Sequence, residues 1–425
     1  MAKKQIETNS LHAGQVPDPT TLSRGVPVYR TTSYVFKNTE HAANLFALKE
    51  LGNIYTRLMN PTTDILEKRI AELDGGVAAV AVASGTSAIF HAVINICKAG
   101  DEIVAASNLY GGTHTMFKSV LPQFGITTTF VNVHDHAAFK KAITPKTRAV
   151  FIETIGNPAL EVADIEAIAK IAHDAKLPLI VDSTFTPPTL LRPIEHGADI
   201  VVHSLTKWIG GHGSAIGGIV VDGGKFDWTD EKFDLFNKPE ESYHGLRFAH
   251  DLGVLAPIAY ALRLRLVPLR TLGACISPDN AWIILQGVET LPLRTARHSE
   301  NALKVAEYLA KHPKVEWVRY PGLANDSSYK LASKYLKNGF GGMVVFGVKG
   351  GRAAGETFIN KVKLISHLAN VGDAKTLVLH PASTSHSQLS DQEQHDAGLP
   401  PELIRLSVGI ENVDDIIVDI KQALG

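Results

Sequence analysis

Lys207 lies in the run Ser204-Leu205-Thr206-Lys207-Trp208-Ile209-Gly210-Gly211, directly after the apolar stretch Asp199–His203. A lysine that follows a buried strand among Leu, Trp and Ile sits where the uncharged amine, the form that attacks carbonyls, is favoured. A lysine whose stem simply leads out to solvent would use the same position. The hydroxyls of Ser204 and Thr206 flank it. Ser84-Gly85-Thr86-Ser87 ends a second apolar run and opens a helical pattern. Small residues let a ligand come close to the backbone there, and the free N–H groups of a helix start suit a phosphate; a plain capping turn would look the same. Asp182 closes the run Pro178–Asp182, where a carboxylate can pair with a protonated ring nitrogen or cap a turn. Tyr110, in Leu109-Tyr110-Gly111-Gly112-Thr113, offers a ring that stacks on a planar ligand or fills a core. Asn157-Pro158 follows the run that ends at Glu153.

The elements that must position these groups are short apolar runs alternating with amphipathic helical stretches. The runs are Val77–Ala83, Glu102–Ala106, Thr127–Val133, Ala149–Glu153, Pro178–Asp182, Asp199–His203 and Gly218–Val221, with helical patterns such as Thr86–Cys97 and Asp164–Ala175 between them. Strands that read as continuous apolar runs belong to a sheet covered on both faces, so an α/β fold with a mostly parallel sheet is predicted. In such a sheet ligands bind beyond the carboxyl ends of the strands, and all five groups fall at that edge. A phosphate cradle, an amine, a ring-nitrogen partner and a stacking ring are the parts a pyridoxal 5'-phosphate site requires.

Residues 1–60 are rich in Pro, Thr and Asn with weak periodicity and read as an extended arm. Residues 61–285 read as the large domain, with an insertion over 223–276, and residues 286–425 as a smaller α/β domain. Ser277-Pro278-Asp279 is a strong helix start, predicted to run with some bending to about Leu309.

The chain has 425 residues and a net charge of −1, which argues against nucleic acid as a partner. Its 2 cysteines, Cys97 and Cys275, build no disulfide framework. The first residues carry no apolar signal segment, and no run approaches the roughly 20 apolar residues that span a bilayer. A soluble, cytoplasmic protein without a membrane partner is expected. His380, His386 and His395 fit no metal-ligand spacing, and no metal is expected. His91 is read as a core or capping histidine.

With these residues in view, Ser204–Gly213 resembles the cofactor-lysine signature of the Cys/Met-metabolism pyridoxal-phosphate (PLP) enzymes, over nearly the whole chain. The resemblance implies a PLP-dependent transferase fold (aspartate-aminotransferase-like, fold type I). It implies that Lys207 carries the cofactor and acts as the base, that Asp182 partners the ring nitrogen, and that Tyr110 stacks on the ring and assists the leaving group. It gives Gly85, Thr86, Ser204 and Thr206 to the phosphate, Arg405 in Ile404–Gly409 to the substrate carboxylate, and Asn157 to the cofactor hydroxyl and substrate. Tyr55 and Arg57, in Tyr55–Pro61, would reach the phosphate of the neighbouring subunit, which implies a homo-oligomer, a tetramer built from dimers with shared sites. The run Leu368–Asp373, with Asn370 at the substrate, resembles the sulfhydrylase branch, as does the insertion with Tyr243-His244-Gly245. Methionine γ-lyases typically carry a cysteine where Gly112 stands. The activity implied is replacement at Cγ of an acylated homoserine by sulfide, in methionine biosynthesis. Elimination at Cγ, use of O-succinylhomoserine or O-acetylserine, and a catalytically silent binding or regulatory protein of the same fold remain as alternatives. Ser183, where the family usually has Asn, and Thr186-Pro187-Pro188 depart from the pattern.

Overall fold

The computed structural model describes residues 4–384 and 399–425. Among the described residues of the first sixty are two helices, α1 (Ile6–His12) and α2 (Thr39–Phe46), and α3 (Pro61–Asp74) follows. The side chain of Asn60 caps α3 by accepting from the Thr62 N–H at 3.0 Å, Pro61 occupies its first turn, and Gly75 ends it at a φ of 77°. The arm is therefore less extended than its weak periodicity suggests. α1 forms because distant residues hold it: Asn9 Nδ2 donates to Glu72 Oε1 at 3.0 Å, and Arg69 Nε donates to the Ala13 carbonyl at 3.0 Å.

Seven strands make the first sheet: β1 (Ala78–Val82), β2 (Glu102–Ala106), β3 (Thr127–Val131), β4 (Thr147–Glu153), β5 (Leu179–Asp182), β6 (Ile200–Ser204) and β7 (Gly218–Asp222). Their order is β1-β7-β6-β5-β4-β2-β3. β7 is antiparallel to both of its neighbours and the remaining pairs are parallel. Since β7 reverses twice, β1 points the same way as β6, and the carboxyl ends of β1, β2, β4, β5 and β6 share one edge. β5 is wholly buried, which is why its sequence shows no alternation. Helix α4 (Gly85–Ile94) starts directly beyond β1, with Ser84 Oγ accepting from the Ser87 N–H at 3.1 Å.

The residues from 223 to 276 form short helical turns, among them Asp234–Asn237 and Ala259–Leu264, packed round stacked rings. Trp228 and Phe236 lie 4.3 Å apart, centroid to centroid. The helical run predicted from Ser277 is two helices, Pro278–Glu289 and Leu291–Ala310, parted at Thr290. Pro292 supplies the reason: it has no N–H for the helix ladder, and its ring crowds the carbonyl four residues back.

A second sheet contains β8 (Val315–Arg319), β9 (Met343–Val348), β10 (Ser366–His367), β11 (Leu377–Leu379) and β12 (Leu403–Ser407), in the order β10-β11-β12-β9-β8. Its own apolar cluster includes Val305, Leu309, Phe346, Ile404, Leu406 and Ile420. Among the described residues no helix is long and apolar enough to cross a membrane.

Candidate active site

Lys207 sits in the turn after β6, between the two sheets. Its Nζ donates to Asn370 Oδ1 at 2.5 Å. Burial, with the charge of Arg405 adding to it, lowers the amine from the ordinary 10.5 to about 8. The turn is clamped from both sides. Arg294, buried on the helix Leu291–Ala310, donates to the carbonyls of Trp208 at 2.6 Å, Ile209 at 3.1 Å and Gly287 at 2.6 Å. Desolvation lowers that guanidinium to about 10. On the other side the loop after β10 docks on the turn: the Ala374 N–H donates to the Gly211 carbonyl at 2.8 Å. Gly372 has a φ of 78°, and a Cβ there would lie 2.5 Å from the Trp208 nitrogen, so only glycine lets the loop carry Asn370 to the amine.

Asp182, at the end of β5, is buried, and its Oδ1 accepts from the Thr184 N–H at 2.8 Å. Burial pushes its carboxyl up; the Thr184 hydrogen bonds and the charge of His203 pull it back. Its register partner on β4 is a second buried carboxyl, Glu153. Burial, and after it the charge of Asp182, pushes Glu153 well above the usual carboxylate range. Glu153 Oε1 accepts from the Tyr110 N–H at 2.7 Å and so fixes the backbone that carries the Tyr110 ring. That ring is 49% exposed. A Cβ at Gly112 would lie 2.6 Å from its Cε1.

On the phosphate side, α4 presents its free N–H groups with the Thr86 hydroxyl beside them, and Ser84 Oγ lies 3.1 Å from Thr86 Oγ1. Gly85 allows the close approach to β6, since a Cβ there would meet Ser204 Cβ at 2.6 Å. The Ser204 N–H donates to Thr184 Oγ1 at 2.9 Å. Thr206 Oγ1 accepts from the Gly217 N–H at 3.1 Å and donates to the Gly217 carbonyl at 3.2 Å; a phosphate contact would draw that proton away from the carbonyl.

Arg405 alternates on β12 with Ile404 and Leu406, which face the second core, so its side chain leaves from the opposite face. Its Nη1 donates to Asn157 Oδ1 at 3.3 Å. Desolvation lowers its guanidinium, and Tyr110 acts on it in the opposite sense. Lys207, Asn370, Arg405, Asn157 and Tyr110 are thus neighbours. Tyr55 and Arg57 are not joined to them. Arg57 stacks on the Tyr55 ring at 5.1 Å, and among the described residues its side chain has no hydrogen bond or ion pair.

Two residues of the site escape sequence reading. Glu153 closes an apolar run and reads as no more than its polar end. Arg294 serves carbonyls that converge only on folding, and no motif marks it. Of the histidines, His91 is buried with Nδ1 2.8 Å from the Ser87 carbonyl, and His380 is buried against the Pro401 carbonyl at 2.7 Å and Ser383 Oγ at 2.8 Å. His386 and His395 lie outside the described residues. Among the described residues no group of three His, Cys, Asp or Glu could hold a metal ion.

The donor set fits a flat aromatic aldehyde with an anionic tail. Helix N–H groups and hydroxyls would take the tail, a buried carboxylate would take the ring nitrogen, and a lysine tuned towards its neutral form would take the aldehyde.

The family model for Cys/Met metabolism PLP-dependent enzymes matches residues 7–425. An O-acetyl-L-homoserine sulfhydrylase of Leptospira meyeri is 57% identical over 98% of this chain and 96% of its own length. A homocysteine synthase of Schizosaccharomyces pombe is 54% identical over 99% of this chain and 98% of its own. A crystal structure described as an O-acetylhomoserine (thiol)-lyase from Campylobacter jejuni, with N'-pyridoxyl-lysine-5'-monophosphate at its position 205, superposes with a TM-score of 0.94. It is 42% identical and covers 99% of this chain and 100% of that one.

Proposed function

This chain belongs to the Cys/Met metabolism PLP-dependent enzymes, of fold type I, and we propose that it replaces the acetoxy group of O-acetyl-L-homoserine by sulfide, giving L-homocysteine and acetate for methionine biosynthesis. The observation that carries this reading is an amine and a carboxylate grip set side by side: Lys207 held by Asn370, and Arg405 held by Asn157. That pairing suits an α-amino acid.

When bound, pyridoxal phosphate supplies the electron sink that makes the Cα and Cβ protons of the amino acid removable. Lys207, largely buried, takes the Cα proton on Nζ and returns it, since its amine is substantially neutral near pH 8. Arg405 presents a guanidinium to the α-carboxylate in the bidentate manner such groups favour. Asp182 holds the proton on the ring nitrogen. Tyr110, fixed through Glu153, keeps its ring over the reacting carbons and assists departure of acetate. Gly112 leaves that ring its place: a side chain here would displace it, which favours replacement over the elimination of the γ-lyases.

Tyr55 and Arg57 complete the phosphate site of a second copy. The reading rests on Arg57 having no hydrogen bond or ion pair among the described residues, and on apolar residues left open in the arm and the 223–276 segment, Val35 at 97% and Val254 at 95% exposure. A tetramer of such dimers follows the family resemblance. Two free cysteines suit the reducing cytoplasm. The test is a product assay with O-acetyl- and O-succinylhomoserine, each with and without sulfide. Homocysteine from the acetyl ester is expected at saturating sulfide. Should 2-oxobutyrate dominate there, elimination is the reaction; should the succinyl ester be preferred, the acyl assignment falls.

A further inference from the structure

One residue past the β6 register partner of Asp182 lies a wholly buried ion pair that the reaction as described does not use. His203 on β6 places Nε2 2.8 Å from Asp74 Oδ2 and Nδ1 3.2 Å from the Ser183 carbonyl. Neither side chain is exposed to solvent. A carbonyl oxygen and a carboxylate both accept, so both ring nitrogens are called on to donate, and a ring that donates twice is an imidazolium. The Ser183 carbonyl is itself pinned. The Ser183 N–H donates to the Val202 carbonyl at 3.0 Å, and Ser183 Oγ donates to the Thr186 carbonyl at 2.7 Å. Thr186 Oγ1 lies 2.7 Å from Thr154 Oγ1. Ser183 and Thr186, both in segments that depart from the family pattern, thus brace the stretch that carries this carbonyl.

The charges near Asp182 make the pair consequential. On the β4 side its register partner is Glu153, a buried carboxyl that would repel any charge on Asp182. On the β6 side its register partner is Val202, and His203 follows at once. Asp74, from the carboxyl end of α3, neutralises the histidine from behind and has Oδ1 without a hydrogen-bond partner. The order Asp74, His203, Asp182 therefore alternates in sign, and Glu153 stands outside it. The direction in which His203 is shifted agrees: the Asp74 charge and hydrogen bond, with the Asp182 charge behind them, raise its pKa in spite of complete burial.

We infer that His203, clamped by Asp74 and the Ser183 carbonyl, is a positioning residue that keeps Asp182 rather than Glu153 ionised at the ring nitrogen of the cofactor. The inference rests on PLP being the cofactor and is independent of the substrate assignment, so loss of either leaves the other to stand. The experiment compares holoenzymes carrying His203→Gln, Asp74→Asn, Asp182→Asn and the His203→Gln/Asp182→Asn double change. The first readout is the pH midpoint of the visible band of the bound cofactor, without substrate. A ring that has lost its proton withdraws less from the Lys207 nitrogen, so that midpoint moves up in every variant, by about one pH unit for His203→Gln. The second readout is kcat, with KM alongside. His203→Gln lowers kcat about tenfold with KM little changed, and adds less than twofold once Asp182 is already Asn, as expected of residues that act through one another. A merely structural histidine would multiply the two losses in full and leave the midpoint of the band in place, and either result overturns the inference. Where His203→Gln yields no folded protein, Asp74→Asn decides by the same two readouts, with soluble expression and melting temperature reported beside them.

Discussion

At pH 7 about a tenth of Lys207 amines should be neutral, against about three in ten thousand for a lysine at its ordinary value, a gain of about 300-fold in reactive form. The perturbation is pH itself, applied to the apoenzyme. Competitive labelling with trace acetic anhydride, quantified on the peptide holding Lys207, should give a half-maximal rate near pH 8. Burial is the larger cause and Arg405 the smaller, so Arg405→Gln should move the midpoint up yet leave it nearer 8 than 10.5. Stability supplies an independent check. The folded value lies below the unfolded one, so between about pH 8 and 10.5 the unfolded chain binds the extra proton, and the apoenzyme gains stability as pH rises through this window. Relative to Lys207→Met the gain should be about 1–3 kcal/mol, allowing for the partial exposure of the side chain. A labelling midpoint at 10 or above, or stability falling relative to that variant over the window, would refute the account of how the amine is activated.

Two further outcomes follow from the site. If Arg57 serves the partner's phosphate site, equal mixtures of Lys207→Ala and Arg57→Ala subunits, exchanged and re-paired, should regain about a quarter of wild-type activity, because half the dimers are mixed and each holds one intact site; no recovery after verified exchange would return Arg57 to its own subunit. Gly112→Cys places an atom within 2.6 Å of the Tyr110 ring and should lower kcat and raise the share of 2-oxobutyrate at saturating sulfide; an unchanged product ratio would remove Gly112 from the account of specificity.

The large sheet was legible because its strands are buried on both faces and leave unbroken apolar runs; Glu102–Ala106 matches the observed strand residue for residue. The strand-end groups were legible for a related reason, since a polar residue that closes such a run has few places to go but the edge. Direction was not legible in the same way. Gly218–Val221 reads like its neighbours, yet β7 is antiparallel to both, a matter of how the turn after Lys207 folds back. α1 was missed because its stability comes from Arg69 and Glu72, sixty residues on. In the sequence Ser183 and Thr186 stand out only as part of the departures from the family pattern. Their hydroxyls join each other and Thr154, just past β4, while the Ser183 carbonyl meets His203 on β6. What sequence reading loses, then, is the set of residues whose partners assemble only in three dimensions.

The second sheet does more than add a carboxylate grip. Ser407, which ends β12, accepts from the Gly372 N–H at 2.9 Å, and Gly372 is the residue pressed against the backbone of Trp208. Arg405 lies two residues before Ser407 on the same strand and therefore on the same face. The arginine that would hold the substrate and the loop that holds the Lys207 amine are accordingly parts of one strand-and-loop unit. A displacement of β12 that misplaced the carboxylate would also withdraw Asn370 from Nζ. Catalysis at Cα needs the carboxylate grip and the base in register to within a fraction of an ångström. Here that register is set where the loop meets the turn after β6, through Ser407 and Gly372 and through the Ala374 N–H on the Gly211 carbonyl.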